Sequence, residues 1–140
     1  ISLAQAQEYV TWLAKRTGKK YRLPTPQEWE YAASEGGKLT PESDEFKQIK
    51  GTLNCRVTMG DKILKGTGTA SVTSGMSNDW GLKNFVGNVQ EIVLEGEGNA
   101  AARGGAYSDA ISNCDVSAAR PVGGGGDDVT GFRVVLDEVG

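Results

Sequence analysis

The chain contains no histidine. That absence removes Ser-His and Cys-His nucleophilic catalysis. It also removes every zinc, copper or non-haem iron site built on imidazole. Cysteine is scarce, with Cys55 and Cys114 the only two. Their pairing is not readable from the sequence, and two buried free thiols fit it as well as a bridge does. There is no Lys/Arg run and the formal net charge is −3, which argues against a nucleic-acid partner. No apolar run is long enough to span a bilayer, and no signal-peptide pattern is present. The sequence opens at Ile1 directly inside a helix-like pattern, so it reads as the C-terminal domain or a fragment of a longer protein.

What is abundant is glycine, at 20 of 140 residues, most of it after position 50. That favours turns and short strands over long regular elements. The length suits one domain with a core of its own. With no internal repeat and no boundary signal, residues 1–140 are read as a single domain.

The first third reads as helical. Ser2 and Gln5 form an S-x-x-Q capping box, Ala6, Tyr9, Val10 and Leu13 share a face, and Gly18 fits a C-cap. A short YRL strand precedes TPQEWEYAA, in which Thr25 is the N-cap, Pro26 the first helical residue and Glu28 the N3 acid. Gly36-Gly37 is expected to end that helix, and residues 40–49 to form a third with the same Thr-Pro start. LNCRVTM, ILKGTGTASV, AARGGAYS and TGFRVVL are the strand candidates, with GFRVVL expected in the core. Val122–Asp128, VGGGGDD, imitates a phosphate loop. It lacks the Lys-Ser/Thr that meets phosphate and Mg²⁺, and it reads as a surface loop.

Several segments then fall in a familiar order: ISLAQAQEYVTWL, YRLPTPQEWEYAA, LNC, NDWGLKNFVGNVQEIV, ARGGAY, SAARP and GFRVV. Together they resemble the formylglycine-generating enzyme, or sulfatase-modifying factor, family across nearly the whole chain. The resemblance implies an α+β, C-type-lectin-like fold: two N-terminal helices, then short twisted strands and much irregular loop. It also implies a calcium ion in the NFVGNVQE block, held by the Asn84 side chain, the Gly87 and Val89 carbonyls and the Glu91 carboxylate. This is the hard-oxygen donor set that Ca²⁺ takes. A second implied calcium site would use the Asn54 side chain and the Cys55 carbonyl. Its acid has no direct match, and Asp61 is the available substitute.

The oxidases of this family resemble one another in a cysteine pair that binds Cu(I), which soft thiolates suit. Aligned from the Gly-Gly turn of RGGAYSDAISNC, Cys114 falls on the second of that pair and Asp109 on the first. A carboxylate is a hard ligand and a poor substitute for thiolate. Cys55 is a conceivable stand-in. The related histidine-iron sulfoxide synthases are excluded by the missing histidine. Arg103, Tyr107, Asp109, Cys114 and Arg120 remain as binding candidates. Arg120 and Arg133 are expected to be buried structural arginines, and Asp127 and Asp128 to face solvent.

Fold membership leaves function to the sites. The reading that follows is a non-catalytic, calcium-stabilised module of a larger bacterial protein. It would bind a protein, peptide or small-molecule ligand at its C-terminal loops, in an extracytoplasmic setting. The first alternative is a copper-dependent oxidase converting a peptide cysteine to formylglycine, with Cys114 catalytic. The second is a lectin-like display domain whose loops vary between relatives.

Overall fold

The structure is a computed structural model, which describes residues 1–140 apart from 41, 97–98, 123–124 and 138–140. Its first element, α1 (Leu3–Thr17), starts where the sequence placed it, with both halves of the Ser2–Gln5 capping box formed. Gly18 ends it at φ 69°, donating its N–H to Ala14 O. Lys15 and Arg16 occupy the last turn, where cations oppose the helix dipole. Ala6 and Val10 are buried, while Tyr9 lies half exposed with its ring edge-on to Phe132.

After β1 (Lys20–Arg22), α2 (Pro26–Ala33) is capped by the reciprocal Thr25–Glu28 bonds. Each such cap is worth about 1 kcal/mol. Asn78, from a loop 45 residues on, donates its amide to Ala32 O and Ala33 O and so satisfies carbonyls the helix leaves orphaned. The third helix, α3 (Asp44–Lys50), is capped by Ser43 rather than started by Thr40-Pro41. A Ser side chain accepting from the N3 amide outweighs a proline start. Pro41 lies outside the described residues.

The strands are short. A hairpin joins β2 (Val57–Met59) and β3 (Lys62–Lys65), and residues 66–72 leave the ladder. The main sheet holds β4 (Gln90–Gly96), β5 (Asn99–Arg103), β6 (Ala119–Pro121) and β7 (Thr130–Gly131) in the order β6-β5-β4-β7, with β7 parallel to β4. TGFRVVL is not one core strand. It divides into β7 and β8 (Val135–Asp137), which pairs with β1, and Val135 and Leu136 are only partly covered. The break between them lets Arg133 turn toward Glu91.

One core cluster unites Trp29, Phe46, Ile49, Leu53, Phe85 and Val93 with both cysteines. A smaller one packs α1 on Leu23 and Ile92. Two glycines are required for the loops to close on the first cluster. At Gly104 (φ 92°) a Cβ would sit 2.5 Å from Phe85 O, and at Gly87 (φ 80°) 2.6 Å from Cys55 Sγ. No L side chain satisfies both the positive φ and that distance.

Candidate functional site

The loop from Asn84 to Glu91 is held by its asparagines. Asn84 (φ 53°) and Asn88 (φ 63°) both adopt the left-handed conformation that asparagine tolerates better than most residues. The Asn88 side chain accepts from Asn54 Nδ2 and Ala70 N and donates to Ala70 O. Its backbone N–H goes to Asn54 O, and its carbonyl receives Tyr107 N. Asn84 Nδ2 faces the carbonyls of Ser71, Val72 and Ser74 at 3.1–3.4 Å. Its Oδ1 is buried and has no hydrogen-bond donor. A buried acceptor left unmet is costly unless something electropositive meets it.

Glu91 stands at the start of β4 and is 4% exposed. Its Oε1 accepts from Trp29 Nε1 at 3.0 Å and Arg133 Nε at 2.5 Å, and its Oε2 from Arg133 Nη2 at 2.8 Å. Burial pushes its carboxyl up, and the Arg133 guanidinium and Trp29 oppose that by bonding the ionised form. Asn84, Asn88, Val89, Glu91, Lys83 and Arg133 share the wall of a cleft of about 410 Å³.

An unmet amide oxygen is the kind of donor a hard cation takes, while Arg133 already brings positive charge to Glu91. Asn84 offers an unmet amide oxygen in the wall that Glu91 shares. Glu91 has filled three of the roughly four acceptor positions of a carboxylate, leaving one on Oε2. The Asn54 group is arranged differently. Asn54 Nδ2 donates to Gly68 O and Asn88 Oδ1, which couples it to the Asn84–Glu91 loop. Asp61 lies exposed at the β2–β3 turn, and no described hydrogen bond joins it to Asn54 or Cys55.

Below the Gly-Gly turn, Cys55 and Cys114 form a disulfide, and both residues are fully buried. This resolves the question of their pairing and withdraws the Cys114 sulfur from the loop surface. Asp109 is a turn clamp: its Oδ2 accepts from Ala106 N at 2.7 Å, its Oδ1 pairs with Arg120, and its carbonyl receives Arg56 N. Arg120 is exposed on β6 rather than buried, because its partner lies at the rim of the loop. Tyr107 is half-buried, with its hydroxyl 3.5 Å from Asp128 Oδ2. Asp127 and Asp128 face solvent as expected. Arg103 turns away from this loop to stack over Trp29 and bond Glu30 and Val116 O.

Sequence reasoning missed the Trp29–Glu91–Arg133 assembly and the bridging role of Asn88. Each joins segments more than 15 positions apart, and no local spacing signals that. It also passed over three acids, Glu35, Glu45 and Asp79, whose carboxylates converge. The only hint was negative, an acid in a Gly-rich turn that glycine or asparagine would enter more easily.

Three helices, short strands and long irregular loops around one disulfide make an α+β domain. The chain matches the Sulfatase-modifying factor enzyme 1-like domain over residues 1–138, and it belongs to that family. It is 34% identical over 96 residues to the inactive C-alpha-formylglycine-generating enzyme 2 of Bos taurus, covering 65% of this chain and 30% of that one. To the formylglycine-generating enzyme of Thermomonospora curvata it is 37% identical over 101 residues, with the same coverage of each. The chain thus spans less than a third of the length of these relatives. Its fold is that of PvdO from Pseudomonas aeruginosa, with a TM-score of 0.76 at 21% identity over 99% of this chain and 60% of that one.

Proposed function

We propose that this domain is a non-catalytic binding module on a formylglycine-generating-enzyme framework, stiffened by calcium and part of a larger bacterial protein. The observation that carries this reading is the disulfide between Cys55 and Cys114. A Cu(I) site of the oxidase kind needs two thiolates. Here one candidate sulfur is consumed in the core, and the aligned position of the other is Asp109, engaged by Arg120 and Ala106 N. The family includes both active and inactive relatives, so membership is compatible with either state. The ligand surface is the loop region carrying Tyr107, Asp109 and Arg120, with a protein, peptide or small molecule as the ligand. A structural disulfide favours an extracytoplasmic setting, and no helix among the described residues is long and apolar enough to cross a membrane.

The calcium ion of this reading sits at Asn84 and Glu91, with the Gly87 and Val89 carbonyls completing it. Its role is to meet the unpartnered Asn84 oxygen and fix the loop beneath Tyr107. Copper titration tests the proposal. The protein as isolated, and after gentle reduction, is titrated with Cu(I) against a competing chelator. No stoichiometric site is expected before reduction. Tight one-to-one binding by the protein as isolated, lost in Cys114→Ser, would overturn the reading in favour of the oxidase.

A further inference from the structure

Away from this site, three acids from three separate segments meet at the corner between α2 and α3. Glu35 follows α2, Glu45 lies in the first turn of α3, and Asp79 lies in the loop that Asn78 pins to α2. One carboxylate oxygen from each lies within 4.8 Å of the others. Two oxygens facing each other across a Ca²⁺ ion are about 4.6–5.2 Å apart, given metal–oxygen distances of about 2.3–2.6 Å. Three carboxylates from flexible side chains suit Ca²⁺, which accepts varied oxygen geometry, better than Mg²⁺, which demands a near-ideal octahedron.

A cluster of acids on a surface is common, but this one has a buried member. Glu35 is 5% exposed; one of its oxygens accepts from Asp79 N, while Oε1 is buried with no donor. The Glu35 turn is fixed from both sides by Gly36 N to Tyr31 O and Leu39 N to Ser34 O. Tyr31 and Trp80 pack at 5.2 Å between ring centres over the same corner. The buried Glu35 carboxylate is therefore held in place, while the Glu45 and Asp79 side chains lie toward solvent. Lys38 lowers the Glu45 carboxyl, and none of the described ion pairs ties it to the cluster. Desolvation, and then the charges of Glu35 and Asp79, push the Glu45 carboxyl up.

We propose that Glu35, Glu45 and Asp79 form a second, independent Ca²⁺ site, which ties the α2–α3 corner to the 78–82 loop. The unpartnered Glu35 oxygen supplies the buried ligand, and Glu45 and Asp79 close over the ion from the solvent side. The clamp lies a few residues before Asn84, so the two cations would brace the same stretch of chain from opposite ends.

Calorimetric titration of CaCl2 into the chelator-treated protein tests this, with terbium emission excited through tryptophan as a second readout. Glu35→Gln risks the fold, because that carboxylate also holds Asp79 N. The better variant is the double substitution E45Q/D79N, which leaves the Glu35 turn intact. It is expected to remove one Ca²⁺ equivalent or weaken it about tenfold or more, as affinity follows ligand charge. Trp80→Phe should remove terbium emission from this site while Ca²⁺ still binds. Asn84→Ala removes only the equivalent at the Asn84–Glu91 site, so the two sites can fail separately. Unchanged Ca²⁺ stoichiometry and affinity in E45Q/D79N would overturn the proposal. So would acids that share protons and bind no Ca²⁺ at neutral pH.

Discussion

Cys55 and Cys114, separated by 59 positions, are joined in the centre of the core, and Gly87 of the candidate calcium loop packs directly on the Cys55 sulfur. The bond therefore links the LNC segment, the Asn84–Glu91 loop and the loop carrying Asp109. For a closed loop of this length the chain-entropy account gives about 4 kcal/mol of stabilisation. The double variant C55A/C114A is expected to lose about that much in urea unfolding. A loss below about 1 kcal/mol would mean that the unfolded chain gains little freedom from losing the bond.

Glu91 and Arg133 form the second prediction. Removing one partner of a buried pair leaves the other charge uncompensated, which costs about 3–5 kcal/mol. Arg133→Ala should fall near the low end, since the arginine side chain is 34% exposed and water can replace part of it. Thermal denaturation of R133A beside wild type measures the loss. Arg133→Lys should recover only part, because a lysine cannot reproduce the paired Nε and Nη2 bonds.

The acid limb of stability is set in part by Arg22, which bridges Glu28 and Asp137. Its hydrogen bonds hold the Glu28 carboxyl down from an ordinary 4.5 to about 2, and they lower Asp137 as well. Both groups are lower in the folded state than in the unfolded one. Their contribution is therefore complete above about pH 4.5 and fades as the pH falls toward 2. All three side chains are more than a third exposed, so solvent screening keeps the effect within the range of surface pairs. In melts from pH 6 to pH 2, Arg22→Ala should lose less stability on acidification than wild type. Parallel curves for the two proteins would contradict this.

Gly104 and Gly18 both have positive φ, but their surroundings differ. At Gly18 an added Cβ meets nothing within 4 Å, so Gly18→Ala should cost only the backbone term of about 1–2 kcal/mol. At Gly104 the same atom strikes Phe85 O and the Trp29 ring. Gly104→Ala should cost about 3 kcal/mol or more, in the range of severe core and backbone defects. Chemical denaturation of the two variants side by side gives the comparison.

The helix starts were legible because a cap is a local event. Ser2–Gln5 and Thr25–Glu28 lie three residues apart, and both boxes formed as read. The family order of motifs carried the fold class. The third helix start was misplaced because Thr40-Pro41 and Ser43 compete within a single turn, and sequence cannot weigh a side-chain bond against a fixed φ. Arg120 and Arg133 had the same reading from sequence and came out differently. One found a partner at the loop rim and the other in the core, a choice made by segments far away in the chain. The acids at 35, 45 and 79 were invisible for the same reason. Only the docking of the 78–82 loop on the end of α2 brings them together.

On the proposed reading, this formylglycine-generating-enzyme framework carries no oxidase chemistry. The most direct measurement incubates the protein with Cu(I), oxygen and a Cys-x-Pro-x-Arg peptide, and follows the peptide by mass spectrometry. That reading predicts no formylglycine above a protein-free control, where copper and oxygen oxidise the peptide thiol only to its disulfide. Catalytic conversion to formylglycine that disappears in Cys114→Ser would contradict it.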